Sequence, residues 1–363
     1  MPKLATQELL KKYPVTRRFL VGFQGTQLPA EIREWLGKQL AGVALYPRNF
    51  KIVEELSSVA AEIRSLASGP VLIGIDQEGG TRFSLPEPFT QWPSPSELGN
   101  LGDANAVKHV ARAIGHELAA VGINLDFAPM LDLHLNAASP VTQVRSFGSE
   151  PHLAGRMGAA FLTGLDSAGV LGCAKHFPGH GDAQVDPHED LPVYHGDANR
   201  LTQADLVPFA AAIAVGAPTI MTAHILLPKI DPANPASLSR KILTGTLREE
   251  MHFKGLILAD DLAMGAIARR HAPGEAAVGT FAAGADIAMF CHDVTQVAPA
   301  MEETRRALEE GRLSAEEWIV AGQRIQDTLE KTSHAAQQNP KIIGCAEHHV
   351  LAKDLRDRIA KLG

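Results

Sequence analysis

The chain has 363 residues, of which 45% are hydrophobic and 21% charged, an ordinary globular balance with apolar material for a large core. Its formal charge of −7 comes without any block of lysine and arginine, which argues against nucleic acid or another anionic polymer as a partner. No run of about 18 apolar residues occurs and the N-terminus lacks an apolar stretch of signal-peptide length, so the sequence predicts a soluble, cytoplasmic protein with no membrane partner.

In chain order, short apolar runs rich in β-branched residues occupy 18–23, 42–46, 71–75, 125–129, 170–176, 219–223, 256–259 and 286–291. Between them lie helical patterns at 52–67, 104–121, 153–168, 204–215 and 240–251, with apolar residues three to four apart. Strict alternation of strand and helix implies a parallel sheet, and eight units favour closure into a single-domain (β/α)₈ TIM barrel over residues 1–333. An open nucleotide-binding sheet fits less well. The first strand ends in Gly22-Phe23-Gln24-Gly25-Thr26, without the three-glycine phosphate turn, and Asp76-Gln77-Glu78-Gly79-Gly80 carries acids that repel phosphate. A charged helix at 297–310 ends at Gly311, and Ser314-Ala315-Glu316-Glu317 reads as a capping box for the next one. The tail, 334–363, is a polar link to Pro340 and then a helix from about 346 to 362, packed on the barrel exterior. His348-His349 there point apart, as neighbours on a helix do, and belong on a solvated face. Cys173, Cys291 and Cys345 are widely spaced and odd in number, which predicts reduced thiols.

Polar residues stand where the apolar runs stop: Arg48 and Asn49, Asp76, Asp132, Lys175 and His176, His224, Asp260 and Asp261, His292 and Asp293. In an α/β barrel these ends share one face, the face that carries chemistry. Taken singly, Asp132, Asp261 and Asp293 read as caps or turn residues of the following helix.

The densest chemistry lies in 171–192, where an apolar strand runs into Lys175 and His176 and then into a loop holding His180, Asp182, Asp186, His188, Glu189 and Asp190. Pro178-Gly179-His180-Gly181 can continue neither strand nor helix. In Asp186-Pro187-His188 the proline extends the backbone, so the carboxylate and the imidazole face the same side, and His188 becomes a candidate proton donor. Asp260, at the end of an apolar strand, projects into the same mouth. Acetal hydrolysis by double displacement needs an acid on the leaving oxygen and a carboxylate nucleophile, roles open to His188 and Asp260. Asp76, Arg145, Lys175 and His176 then supply hydrogen bonds to sugar hydroxyls.

The strings Lys175-His176-Phe177-Pro178-Gly179-His180-Gly181-Asp182, Met221-Thr222-Ala223-His224 and Ala259-Asp260-Asp261-Leu262-Ala263-Met264 resemble the β-N-acetylhexosaminidases of glycoside hydrolase family 3. So do Gly74-Ile75-Asp76-Gln77-Glu78-Gly79-Gly80, Arg145-Ser146-Phe147-Gly148 and Pro235-Ala236-Ser237-Leu238-Ser239. The resemblance implies an exo-acting, retaining enzyme that takes no metal or other cofactor and removes terminal β-linked N-acetylglucosamine from muropeptide fragments in the cytoplasm, during cell-wall recycling. It implies Asp260 as nucleophile, His188 as general acid/base with Asp186 as its partner, and Asp76, Arg145, Lys175 and His176 as sugar-binding residues. Two departures stand out. Pro187 occupies a position usually held by serine, and the arginines that usually follow Glu-Gly-Gly are replaced by Thr81-Arg82-Phe83-Ser84, with Arg82 as a displaced substitute.

Three other readings compete. His180, Asp182, Asp186 and His188 have residue types that suit a metal-dependent hydrolase on the same barrel. A catalytically silent sugar-binding protein would need no nucleophile beside a proton donor. A phosphorylase would use phosphate in place of water.

Overall fold

The computed structural model describes residues 3–81, 83–139, 141–183, 185–332 and 339–362. Among them, eight parallel strands close into a barrel: β1 (Phe19–Val21), β2 (Gly42–Ala44), β3 (Leu72–Ile75), β4 (Leu125–Asp126), β5 (Leu171–Phe177), β6 (Thr219–Thr222), and then, beyond an antiparallel pair β7 (Leu226–Leu227) and β8 (Asp231–Pro235), β9 (Leu256–Asp261) and β10 (Ile287–Phe290). Around the barrel the order is β1-β2-β3-β4-β5-β6-β9-β10, and the pairing of Phe19 with Ala288 closes it. The eight expected strands are therefore all present. The β7–β8 pair was not expected, because its proline-containing sequence shows no alternation.

Short strands suffice because each is buried on both faces. Leu20, Leu72, Leu125, Leu171, Leu256, Leu258, Ile287 and Met289 share one apolar cluster with the free thiols Cys173 and Cys291. Phe19, Val43, Ile73, Ala259 and Phe290 belong to a second, larger one, in which the surrounding helices take part. The expected helices appear as Val53–Leu66, Ala104–Ala120, Pro151–Ser167, Leu206–Ala214 and Val297–Glu309, while Lys241–Glu250 is wound as a π-helix. Further helices cover Lys3–Lys12, Ala30–Gly37, Pro95–Leu101 and Pro273–Ala283. No helix among the described residues is long and apolar enough to cross a membrane.

In the tail, Ala346–Ile359 is helical, but His348 is not on a solvated face. It is buried, with Nδ1 2.7 Å from the carboxylate of Glu117 in helix Ala104–Ala120. The expected capping box at Ser314 forms by half. Its hydroxyl accepts from the Glu317 N–H at 3.3 Å, while the Glu317 carboxylate turns to Arg240 at 2.6 Å.

Candidate active site

The loop that follows β3 turns on Gly79 and Gly80, whose φ angles of 92° and 75° are strained for any side chain. A Cβ on Gly80 would meet Ser94 at 2.8 Å. The turn is stitched by Glu78 N–H to the Phe83 carbonyl (2.8 Å), Leu85 N–H to Gln77 Oε1 (2.6 Å) and Gln77 N–H to Asp126 Oδ1 (2.9 Å). It delivers Asp76 and Glu78 beside Lys175, at the end of β5, and Arg145, in the turn Gln143–Arg145. Lys175 Nζ lies 2.5 Å from Asp76 and 2.8 Å from Glu78, and Arg145 grips Glu78 through two bonds of 2.8 and 2.7 Å. Burial alone would raise the Glu78 carboxyl, but the Arg145 guanidinium and the Lys175 ammonium hold it down at about 2. The two cations, which burial would weaken, are pushed up in turn, Lys175 by Asp76 and Glu78, Arg145 chiefly by Glu78. The four residues thus form a pre-oriented set of strong donors and acceptors.

His176 follows directly. Asp132 Oδ2 accepts its Nδ1–H at 2.7 Å and its backbone N–H at 3.2 Å, and Oδ1 accepts the His180 backbone N–H at 2.8 Å. Asp132 is therefore not a helix cap: it is buried and fixes the His176 tautomer, leaving Nε2 free to meet a ligand. Burial holds His176 below its ordinary value against the opposing pull of Asp132. The His180 ring lies edge-on to His176, and its Nδ1, 3.2 Å from Asp132 Oδ1, is not aligned for a hydrogen bond. Asp132, His176 and His180 offer three possible ligand atoms within 4.8 Å of one another. Both Asp132 oxygens already accept N–H groups, so the arrangement suits orientation of His176 better than chelation.

Across the mouth, Asp260 near the end of β9 is half-buried and lines the cavity. Burial raises its carboxyl, but His176 and His224, the Asp261 N–H at 2.7 Å and His188 bring it below the ordinary carboxylate value, so it is ionised at neutral pH. Its neighbour Asp261 accepts from the Ala263 and Cys291 N–H groups and lies 2.6 Å from His292 Nδ1. It is a turn residue, as expected, and also an anchor of the mouth. Asp293 caps the turn Val294–Gln296 as expected.

Asp186 and His188 sit on the long loop after β5. Asp186 Oδ1 accepts both the His188 Nδ1–H at 2.7 Å and its backbone N–H at 2.9 Å, but the two side chains meet across a turn, closed by the Glu189 N–H on the Asp186 carbonyl at 2.9 Å, and not along the extended backbone that the proline predicts. The His188 side chain is 61% exposed, so its Nε2 can reach solvent and a leaving group. The loop rests on the turn after β9: Ala266 N–H donates to the Pro187 carbonyl at 3.0 Å, and Arg270 pairs with Asp190 at 2.7 Å. Gly265 permits this close approach, because a Cβ there would lie 2.6 Å from the His188 carbonyl oxygen. Asp182 does not join His188 but pairs with Arg200 at 3.0 Å.

One cavity of about 200 Å³ is lined by Asp76, Arg145, Lys175, His176, Asp186, His188 and Asp260. The structure thus brings together every expected site residue except Arg82, which lies outside the described residues. Sequence reasoning missed Asp132, Glu78 and Phe83. The Phe83 ring lines the cavity 4.3 Å from the Arg145 guanidinium and 5.7 Å from the Lys175 ammonium, on a backbone at φ 52°. The signal for Glu78 was its place two residues after Asp76; Asp132 was marked as a polar strand end but read as a cap.

The family description "Glycosyl hydrolase family 3 N terminal domain" matches residues 16–328. A β-hexosaminidase of Nitrosomonas eutropha is 36% identical over 281 residues, which is 76% of this chain and 80% of that protein. β-Hexosaminidase A of Pseudoalteromonas piscicida is 35% identical over 321 residues, 80% of this chain, and the chain spans about half, 54%, of that longer protein. Among solved structures, a β-N-acetylglucosaminidase from Paenibacillus sp. superposes with a TM-score of 0.91 at 33% identity, covering 96% of this chain and 68% of its own.

Proposed function

Because this chain belongs to glycosyl hydrolase family 3 and is a glycoside hydrolase of β-hexosaminidase type, we propose that it removes terminal β-linked N-acetylglucosamine from muropeptide fragments, with retention of configuration. The observation that carries the reading is the convergence on one cavity of an ionised carboxylate, Asp260, an imidazole held by a carboxylate, His188 with Asp186, and the ion cluster of Asp76, Glu78, Arg145 and Lys175. A cavity of about 200 Å³ is smaller than the roughly 300–1,000 Å³ usual for drug-sized ligands, which suits one sugar ring and exo action.

In this reading Asp76, Arg145, Lys175 and His176 take the hydroxyls of the terminal sugar. Asp260 attacks the anomeric carbon as the bond to the leaving oxygen breaks, and His188 Nε2 gives that oxygen its proton. The product of this first step is a glycosyl ester of Asp260. Asp186 keeps the proton on Nδ1, so Nε2 is the atom that exchanges protons, and it next takes one from the water that displaces the sugar from Asp260. A cytoplasmic setting agrees with Cys173, Cys291 and Cys345 as free thiols.

The test is release of nitrophenol from an aryl 2-acetamido-2-deoxy-β-glucopyranoside, with wild type and Asp260→Ala each assayed with and without EDTA and phosphate. The reading expects activity that survives EDTA, needs no phosphate and disappears in the variant. Loss on chelation would transfer the chemistry to a metal hydrolase, phosphate-dependent turnover would make it a phosphorylase, and full activity of the variant would remove Asp260 from the mechanism.

A further inference from the structure

The tail beyond the family match, which ends at residue 328, lies against the loop that carries Asp76 and Glu78. The joint is a single carboxylate. Glu117 is 1% exposed and accepts four hydrogen bonds, two from each side. From the loop come the Thr90 N–H at 3.0 Å and the Thr90 hydroxyl at 2.6 Å; from the tail come the Gly344 N–H at 3.1 Å and His348 Nδ1 at 2.7 Å. A buried carboxyl group with four donors is strongly committed to them, because losing any one leaves a buried acceptor short of a partner.

Other contacts reinforce the joint. The ring of His348 lies 5.9 Å from that of Trp92, Arg356 donates to the Gln91 carbonyl, and Arg358 pairs with Asp103 at 2.6 Å. Gly344, at φ 59°, sits so close that a Cβ would lie 2.3 Å from the Pro88 carbonyl oxygen. Ala352 and Leu355 of the tail helix belong to the same apolar cluster as Leu85, Phe89 and Trp92 of the loop. From there the path to the sugar site is short. The Trp92 carbonyl accepts the Gly80 N–H at 3.1 Å, and Gly80 closes the turn whose other end holds Glu78 under Arg145 and Lys175.

We propose that His348 and Glu117 are positioning residues for this reaction: the C-terminal helix, acting through the Glu117 carboxylate, holds the loop of residues 76–92 in its substrate-binding shape. The inference rests on reading Asp76, Glu78, Arg145 and Lys175 as the sugar site. None of the described tail residues lines that site, so their effect must pass through the loop and fall on sugar binding, not on the steps at Asp260 and His188.

The experiment compares full-length wild type, His348→Ala, His348→Asn and Glu117→Gln by steady-state hydrolysis of the aryl N-acetylglucosaminide and by amide hydrogen exchange. The amide of Asn can present an N–H where Nδ1 stood, so it serves as the conservative replacement. For His348→Ala, KM should rise about fivefold, the loss of one ordinary hydrogen bond expressed as binding, while kcat stays within about twofold of wild type. His348→Asn should recover most of the KM, and Glu117→Gln should resemble the alanine variant. In both impaired variants the amides of Glu78, Gly80, Leu85 and Thr90 should exchange faster while those of the barrel strands keep their protection. Wild-type KM in His348→Ala and Glu117→Gln would overturn the proposal. So would exchange that accelerates evenly over barrel and loop, with kcat falling alongside, because that is global destabilisation. If the wild type does not hydrolyse the glycoside, the reading of the sugar site fails, and unchanged loop exchange in the variants would separately refute the clamp.

Discussion

Glu78 is the group on which the buried cations Arg145 and Lys175 depend, and Glu78→Gln measures how much. The carboxylate is 2% exposed and faces Arg145 and Lys175 at 2.7 to 2.8 Å. Lowering its titration from an ordinary 4.5 to about 2 corresponds to about 3 kcal/mol in favour of the folded state. The amide keeps one oxygen as an acceptor but leaves Lys175 with Asp76 alone and Arg145 with no paired carboxylate among the described residues, and removing one partner of a buried pair costs about 3–5 kcal/mol. Glu78→Gln is thus expected to lose about 3 kcal/mol at neutral pH, read as a lower urea midpoint, and to raise KM about tenfold as Lys175 and Arg145 lose their common anchor. The pH dependence has a definite sign. A depressed carboxyl contributes fully above its unfolded value of 4.5 and loses that contribution as pH falls towards 2, so the gap between wild type and variant should narrow through that window. A variant as stable as wild type at neutral pH, or a gap that widens on acidification, would refute this account of the cluster.

Asp132 accepts three N–H groups, and an amide cannot replace it without setting one donor against another. Asp132→Asn should therefore lower kcat/KM about 10–100-fold; wild-type kinetics would mean that His176 needs no such anchor. In Gly265→Ala the new Cβ would stand 2.6 Å from the His188 carbonyl oxygen and 2.8 Å from that of Glu189, which forces the loop carrying Asp186 and His188 outwards. A fall in kcat of about tenfold or more, with thermal stability nearly unchanged, is expected, and an unaltered kcat would show that the loop need not rest there. Phe83→Ala removes the ring that covers Arg145 and Lys175 and should raise KM about threefold while sparing kcat. A change confined to kcat would place Phe83 in the chemical step instead.

The barrel was legible because each parallel strand is buried on both faces and therefore reads as an uninterrupted apolar run ending in a polar residue. Lys175, His176, Asp186 and His188 were legible for a related reason: they stand where one apolar strand runs into a segment that cannot be regular structure. What stayed hidden depends on partners far along the chain. Asp132 looked like a cap because nothing nearby announces that it will meet His176, 44 residues later. His348 looked solvated because its helix is polar, yet its partner Glu117 stands 231 residues earlier. Ser314 and Glu317 carried the spacing of a capping box, and an arginine 77 residues earlier, Arg240, claimed the glutamate. Local pattern sets the elements and their ends; the pairing of buried charges is decided by which strand ends the closed barrel brings together.

The central claim is that Asp260 carries the sugar between two displacements. Incubation with a C5-fluorinated β-N-acetylglucosaminyl fluoride, whose ring fluorine slows turnover of the glycosyl-enzyme, followed by mass spectrometry of the intact chain and its peptides, tests it most directly. The account predicts one added sugar per chain, on the peptide containing Asp260, and none on Asp260→Asn. An adduct on another residue, or rapid turnover with inversion and no adduct at all, would contradict it.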